Sequence, residues 1–359
     1  MIRSAAATSC FLGALLLVSS AAAFAEDDDE PENLPALSAA SGHASVVGVS
    51  SGGYMATQLA VAWPERFSGV GVLAAGPWGC AQGALSLALN QCMNTRRGVP
   101  SLDTLDQRRE RYESLEQVGE RGALAQLRAY IWHGDEDDTV SPELGSLLAE
   151  QWQRWLASSE QVRFVRSENT GHGWPITLPK QSNASPQSLG GCRQGGGSHV
   201  LACDEDVADE MLSWLYPERS SSPSSGALVA FDQSEFEEKG LADTGYVFIP
   251  QACEAGGCPV TVALHGCQMS VDAIGDTFVR HSGLNRWAEE NEQVVLYPQA
   301  ESSMANPQGC WDWWGFAEST WQINPLHDTR DGTQVKALMA MLDRLEGEVT
   351  EESAPVQEE

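Results

Sequence analysis

Three short motifs in the sequence contain the residue types of a hydrolytic triad. Ser50 is the centre of a G-x-S-x-G pentapeptide at positions 48–52, whose glycines permit the tight turn that exposes a serine. Asp137 ends the pattern W-H-G-x-x-D, and His172 lies in the tetrapeptide G-H-G-W. A serine hydroxyl is a weak nucleophile until a histidine, oriented by a carboxylate, takes its proton. The sequence therefore predicts a nucleophile at Ser50, a general base at His172 and an orienting carboxylate at Asp137.

Two neighbouring acids, Asp135 and Asp138, compete with Asp137 for the orienting role. We favour Asp137 because the pattern H-G-x-x-D-x-x-V then closes with Val140. The structural alternative is that Asp137 caps a turn and that His172 is an ordinary loop histidine. The catalytic interpretation is favoured because each motif follows a segment that is typical of a strand.

Short apolar segments that end at these motifs indicate the elements that position them. Strands are predicted at 44–49, 67–75, 127–132 and 162–165, and helices at 54–63, 142–156 and 207–216, while 80–126 is predicted to be helical and polar. Strands that alternate with helices predict a mostly parallel sheet with helices on both faces, an α/β fold. The chain order serine, aspartate, histidine is that of the α/β-hydrolase fold.

The strands that should precede the nucleophile occur at the other end of the chain. A predicted strand at 260–264 runs into His265-Gly266-Cys267, another follows at 294–297, and a final helix at 333–345 would lead into the strand at 44–49. The sequence thus predicts one circularly permuted α/β-hydrolase domain over residues 26–345. The backbone N–H groups of Ser51 and Cys267 are the predicted oxyanion-hole donors.

The start of the chain indicates an exported protein, and the charge of the chain limits its partners. Residues 1–25 resemble a signal peptide, 26–40 are predicted to be a loose arm, and 346–359 an acidic, disordered tail. No segment reaches the roughly 18 consecutive apolar residues of a membrane span. The formal charge of −29 argues against nucleic acid or an anionic membrane as a partner. The sequence leaves open the periplasm or the medium as destination, and the oligomeric state.

Eight cysteines follow the predicted signal peptide, and an even number in an exported chain indicates disulfides. Eight cysteines allow 105 connectivities, of which order and spacing favour neighbouring pairs. These pairs are Cys80–Cys92, Cys192–Cys203, Cys253–Cys258 and Cys267–Cys310. Their spacing does not fit a zinc site, and no dinucleotide fingerprint occurs, so neither a metal nor a cofactor is expected.

Five motifs together resemble the poly(3-hydroxybutyrate) depolymerases, especially the circularly permuted single-domain kind known from fungi. They are G-V-S-S-G-G-Y-M at 48–55, W-H-G-x-x-D-x-x-V at 132–140, G-H-G-W at 171–174, L-H-G-C-Q at 264–268 and C-W-D-W-W at 310–314. The resemblance implies a secreted serine esterase that cleaves poly(3-hydroxybutyrate) or its oligomers with the triad and oxyanion donors named above. It also implies tryptophans along the acyl-chain subsites, for which the candidates are Trp174, Trp311, Trp313 and Trp314.

Three other functions stay open at this stage. Related sequences that act on feruloyl or acetyl esters of plant walls share the serine motif, and fold does not fix substrate. A secreted peptidase can have the same order of triad residues. A non-catalytic polymer-binding protein is disfavoured because binding needs no triad at three strand ends.

Overall fold

The computed structural model of the protein describes residues 31–178, 188–217, 223–236, 238–318 and 325–349. The predicted signal peptide at 1–25 lies outside these residues, as does the predicted tail from residue 350. The described residues belong to one compact unit that begins at Pro31. Among the described residues, no helix is both long enough and apolar enough to cross a lipid bilayer.

A nine-stranded sheet runs through this unit in the order β1-β9-β10-β12-β11-β2-β3-β4-β5, and a small second sheet has the order β6-β8-β7. The strands are β1 (Glu32–Asn33), β2 (Ala44–Val49), β3 (Phe67–Leu73), β4 (Arg128–Gly134), β5 (Val162–Ser167), β6 (Trp174–Thr177), β7 (Gly190–Gly191), β8 (Val200–Cys203), β9 (Gly226–Asp232), β10 (Thr244–Pro250), β11 (Val260–Leu264) and β12 (Val294–Tyr297).

The large sheet is mostly parallel, which confirms the predicted fold class. Strands β12, β11, β2, β3, β4 and β5 run parallel, whereas β10 is antiparallel to both β9 and β12. The central strand β2 pairs with β3 on one side and with β11, from far along the chain, on the other. The later strands therefore occupy the place of the first strands of an α/β-hydrolase, and the permutation is confirmed.

Helices cover both faces of this sheet. They are α1 (Ser51–Ala62), α2 (Leu85–Leu87), α3 (Leu102–Ser114), α4 (Arg121–Leu124), α5 (Pro142–Trp155), α6 (Val207–Leu215), α7 (Val271–Ile274), α8 (Thr277–His281), α9 (Leu284–Asn291) and α10 (Thr333–Glu346). Since side chains alternate along a strand, Val46 of β2 packs into the core beneath α1 and α10, while Val47 and Val49 pack beneath α6 and α9. The region 80–126, predicted as helical, contains the 13-residue helix α3 and the short helices α2 and α4, separated by turns.

The segment 31–40 is not the loose arm that its composition predicts. Leu34 and Leu37 are buried, and the backbone N–H groups of Leu37 and Ala39 both donate to the carbonyl of Leu345 at the end of α10. The apolar side chains hold the segment against the core, and β1 pairs with β9. At the other end, α10 includes Glu346, whose carboxylate accepts a hydrogen bond from Ser41. The described fold therefore extends past the predicted start of the tail.

The disulfides join the neighbouring cysteines that the spacing favours. The bonded pairs are Cys80–Cys92, Cys192–Cys203, Cys253–Cys258 and Cys267–Cys310. The second pair links a glycine-rich segment at 190–197 to β8. Within the described residues, β7 at the start of this segment pairs with β8 in the small sheet.

Candidate active site

Ser50 lies in the turn between β2 and α1, at the edge of the sheet where the parallel strands end. Its backbone has φ 56° and ψ −121°, a left-handed conformation that non-glycine residues rarely adopt. The turn is held to the neighbouring strand β3 because the Ser50 N–H donates to the carbonyl of Leu73, at 2.9 Å. Ser50 therefore has the geometry of a nucleophile elbow, with its side chain at the amino end of a helix, where negative charge is favoured.

The two glycines of the pentapeptide are required by close backbone contacts. A Cβ atom at Gly48 would lie 2.3 Å from the carbonyl oxygen of Gly52. One at Gly52 would lie 2.3 Å from the carbonyl oxygen of Leu264, at the end of β11. Gly52 thus lets α1 pack directly on the strand that leads into the predicted oxyanion loop.

The structure brings the three predicted triad residues together in hydrogen-bonding order. The Nε2 atom of His172 is 2.9 Å from the Ser50 hydroxyl, and its Nδ1 atom is 2.7 Å from Oδ2 of Asp137. Asp137 follows β4 and His172 follows β5, so the parallel strands deliver both to the edge at which Ser50 lies. Asp135 and Asp138 are exposed, and neither is hydrogen-bonded to His172 in the described structure.

The environment of Asp137 keeps its carboxyl group ionised. Burial alone would raise the pKa of Asp137, but the charge of His172 and hydrogen bonds from His133 and His172 hold that pKa well below its ordinary value. Its Oδ1 atom also accepts the backbone N–H groups of Thr139 and Val140, at 2.9 and 2.8 Å. A fixed anion in this position can orient a histidine and stabilise its protonated form.

The loop after β11 lies against the nucleophile. A Cβ atom at Gly266 would be 3.2 Å from the Cβ of Ser50. Since Ser51 is the first residue of α1, its N–H has no partner within the helix. Both predicted oxyanion donors, Ser51 and Cys267, therefore belong to segments that adjoin the Ser50 side chain.

His265 orients the peptide that precedes Cys267. Its Nε2 atom accepts the Ala300 N–H at 3.0 Å, so Nδ1 carries the proton and donates to the Gly266 carbonyl at 2.7 Å. In a trans peptide the C=O and N–H point in opposite directions, so the Cys267 N–H is directed away from the His265 ring. Burial lowers the pKa of His265 to about 4, which keeps this ring neutral near pH 7.

A disulfide and an indole clamp the same loop. Cys267 is bonded to Cys310, which precedes Trp311. The backbone N–H of Trp311 donates to the Ser51 hydroxyl at 3.4 Å, and its indole N–H donates to the His265 carbonyl at 3.0 Å. The segment after Cys310 thus holds the loop against the start of α1.

The four tryptophans proposed for the acyl-chain subsites differ in exposure. Trp174 and Trp311 are fully buried, and their indole N–H groups donate to the backbone carbonyls of Ser282 and His265. Both side chains therefore lie in the core in this structure. Trp313 is only 6% exposed and stacks on Tyr54, with ring centroids 4.3 Å apart. Trp314 is half-buried, so it is the candidate with free surface.

Two further histidines lie beside the triad, and the sequence analysis gave neither a role. The ring of His199 is 6.1 Å from that of His172, and burial, then the charge of His172, lowers the pKa of His199. Nε2 of His133 is 3.2 Å from Oδ2 of Asp137. The signal for His133 was its spacing of four residues before Asp137; nothing local marks His199, which lies after the glycine run.

The arrangement is suited to acyl transfer. It joins a serine in a strained turn, a histidine within reach of its hydroxyl, an ionised carboxylate behind that histidine and backbone donors beside the serine. Among the described residues, no group of histidine, cysteine, aspartate and glutamate side chains is placed to hold a metal ion.

The chain is similar to two depolymerases, and it covers a different share of the length of each. It is 32% identical over 330 residues to a polyhydroxybutyrate depolymerase of Talaromyces funiculosus, covering 87% of this chain and 92% of that protein. It is also 32% identical over 322 residues to a poly(3-hydroxybutyrate) depolymerase of Delftia acidovorans, of which it spans only 61%. No protein-family model matches the chain.

Solved structures agree with these relatives. The crystal structure of the PHB depolymerase from Penicillium funiculosum is similar at a TM-score of 0.76 and 32% identity, covering 87% of this chain and 98% of that one. A serine-to-alanine variant of a PHB depolymerase in complex with an R3HB trimer is similar at the same TM-score and 31% identity.

Proposed function

We propose, because this chain belongs to the poly(3-hydroxybutyrate) depolymerase family, that it is a serine esterase that cleaves the ester bonds of poly(3-hydroxybutyrate) or its hydroxyalkanoate oligomers. The observation that carries the proposal is the hydrogen-bonded series Ser50–His172–Asp137 at the edge of the sheet. The R3HB trimer bound to a similar structure supports an oligoester of 3-hydroxybutyrate as substrate.

In the acylation step, the Ser50 oxygen attacks the ester carbonyl while His172 Nε2 takes the hydroxyl proton. The N–H groups of Ser51 and Cys267 stabilise the oxyanion of the tetrahedral intermediate. When the C–O bond to the alcohol breaks, His172 returns its proton to the leaving alkoxide, and the acyl group remains on Ser50. Asp137 stays ionised throughout and stabilises the imidazolium.

In the deacylation step, water replaces the alcohol as the attacking group. His172 takes a proton from the water while the oxygen attacks the acyl carbonyl, then gives it to the Ser50 oxygen as the acyl bond breaks. The products are a free carboxylic acid and the regenerated serine. Every proton in the cycle moves among Ser50, His172, the leaving alcohol and water, so the reaction needs no cofactor.

Export from the cytoplasm is part of the proposal. The support is the set of four disulfides, since such bonds persist in oxidising compartments and are rare in the cytosol. Residues 1–25 would supply the signal peptide. The proposed partner is a polyester or oligoester, without nucleic acid or membrane.

Clearing of a poly(3-hydroxybutyrate) suspension by the purified protein tests the proposal. We expect turbidity to fall with the parent and with Ser146→Ala, a control on helix α5, but not with Ser50→Ala. Adsorption of Ser50→Ala to the polymer should survive, which separates an enzyme from a binding protein.

Methyl ferulate and an acetylated xylan are the competing substrates. Release of ferulate or acetate without clearing would retain the triad and overturn the polyester substrate. Activity that persists in Ser50→Ala would overturn the mechanism itself.

A further inference from the structure

His133 is a buried histidine that the acyl-transfer steps do not use. It lies near the end of β4, it is fully buried, and its Nε2 atom points into the turn that carries Asp137. Nε2 is 2.9 Å from the Val140 carbonyl oxygen and 3.2 Å from Oδ2 of Asp137. That same Oδ2 accepts the Nδ1–H of His172.

The contacts of the His133 ring fix its tautomer. Both groups near Nε2, the Val140 carbonyl and the Asp137 carboxylate, are acceptors, so Nε2 must carry the proton. Nδ1 faces helix α5, where a Cβ atom at Gly145 would lie 2.4 Å from it. No hydrogen-bond partner for Nδ1 exists among the residues that the structure describes. An apolar side chain would fill this space without an orphaned nitrogen, so packing alone does not account for a histidine here.

We infer that His133 is a positioning residue for the proposed triad, acting through Asp137 from the side opposite His172. Its single Nε2–H is shared between two acceptors: it anchors the Val140 carbonyl and places a positive hydrogen beside Oδ2. The Val140 N–H in turn donates to Oδ1 of Asp137, so the ring and the turn close around the carboxylate. This inference rests on the proposed function, because it assigns His133 a role in the same reaction.

The expected consequence is a change in how tightly the proton on His172 is held. A donor near Oδ2 draws electron density from the carboxylate, so its removal strengthens the attraction between Asp137 and protonated His172. The other titratable groups that face Asp137 are His172, His199 and, from helix α1, Tyr54. A substitution at position 133 leaves these three side chains in place, so a changed pH profile would report the loss of the His133 donor.

The test compares His133→Leu with His133→Gln, whose side-chain amide offers an N–H near the position of Nε2. On p-nitrophenyl butyrate, we expect the acid limb of the kcat/KM profile of His133→Leu to move to higher pH by about 0.5 unit. The kcat should fall by about tenfold, and His133→Gln should recover much of both changes. A purely structural role would lower the melting temperature of both variants and leave the limb where it is. Superimposed acid limbs of the parent and a folded His133→Leu would overturn the inference.

If His133→Leu does not fold, NMR of the parent protein with nitrogen-15-labelled histidines provides a second test. In the folded parent we expect His133 to be protonated at Nε2 only, and Asp137→Asn should shift its Nε2 resonance. An Nδ1–H tautomer, or a resonance that Asp137→Asn leaves unmoved, would contradict the inference. The soluble ester p-nitrophenyl butyrate tests the role of His133 independently of the polymer. A parent protein that cleaves this ester without clearing the polymer would overturn the proposed polyester substrate but not the inference on His133.

Discussion

The two sides of the active site are held together by different means. On the triad side, Asp137 and His172 lie on loops whose ties at the site are hydrogen bonds, and the carboxylate accepts donors at both oxygens. On the side of the predicted oxyanion hole, the loop at 265–268 is fixed by a disulfide at Cys267 and by a neutral, buried His265.

This difference follows the work that each side would do. In the proposed reaction the histidine of the triad gains and loses a proton in every cycle, and on that side neighbouring histidines outweigh the effect of burial on the pKa of Asp137. The proposed oxyanion donors are backbone groups that need only stay in place, and there burial keeps His265 uncharged. The triad side thus holds a fixed charge on Asp137, whereas the oxyanion side holds a loop in a fixed position.

Removing the base should have the largest effect and should leave the fold intact. We expect His172→Ala to lower kcat on p-nitrophenyl butyrate by about 10⁴-fold or more, because Ser50 then has no proton acceptor. The matched control is His43→Ala, an exposed histidine whose described hydrogen bonds involve only its backbone. Similar rates for the two variants would show that the triad is not the chemical centre.

Removing the disulfide on the oxyanion side should weaken both stability and catalysis. We expect the double variant Cys267→Ala and Cys310→Ala to lose about 4 kcal/mol of unfolding free energy and to turn over at least tenfold more slowly, because the loop loosens. The disulfide between Cys253 and Cys258 closes a much shorter loop. The double variant Cys253→Ala and Cys258→Ala should therefore lose only about 2 kcal/mol of unfolding free energy, with kcat unchanged. Urea unfolding and initial rates give both quantities. An equal loss of kcat in the two pairs would deny the Cys267 loop a special role.

A substitution at the junction of the two sides should act mainly through packing. Gly52→Ala would force its Cβ against the Leu264 carbonyl, and we expect a loss of about 3 kcal/mol. Gly122→Ala on helix α4 meets no atom within 4 Å, and it should raise stability by about 0.5 kcal/mol. Thermal unfolding compares them, and a Gly52→Ala variant as stable as the parent would mean that α1 does not rest on β11 so closely.

Mild acid should reduce stability through His265 before it reduces stability through Asp137. His265 has a pKa near 4 in the fold and an ordinary value of 6.5, so only the unfolded chain takes up this proton between those pH values. Stability from this group is complete above pH 6.5 and falls by about 1 kcal/mol per pH unit towards pH 4. The lowered pKa of Asp137 acts over a more acidic range. Its contribution to stability is complete above about pH 4 and is lost only below that pH.

Urea unfolding at pH 7, 6 and 5 measures this slope. His265→Asn, which retains an amide donor for the Gly266 carbonyl, should show a smaller decline than the parent. Parallel slopes for the two proteins would place the acid sensitivity elsewhere.

The sequence predicted best what depends on local pattern. The bounds predicted for the strands at 44–49, 260–264 and 294–297 are those of β2, β11 and β12, since buried parallel strands are continuous apolar runs. Ser50, Asp137 and His172 were predicted because each stands at a strand end, and the structure brings the three side chains into hydrogen-bonding distance. The permutation followed from counting strands before Ser50.

What the sequence missed depends on distant partners. Strand β9 is an exception, because Ala227 to Phe231 form a continuous apolar run that was a local signal for a strand. Strand β7 consists of two glycines and exists through its pairing with β8. The aromatic character of Trp174 and Trp311 could not tell core from cleft, because that depends on which residues of other segments cover them.

The seating of α1 on β11 has a consequence for the order in which the protein is made. A ribosome releases Ser50, Asp137 and His172 well before Leu264 and His265, the residues on which the Gly52 backbone rests. Until then β2 lacks one of its two neighbours, and pairing between such distant strands is slow to form. The nascent chain thus carries all three side chains of the proposed triad without the backbone surface on which Gly52 packs. The proposed esterase activity therefore requires residues that are synthesised late in the chain.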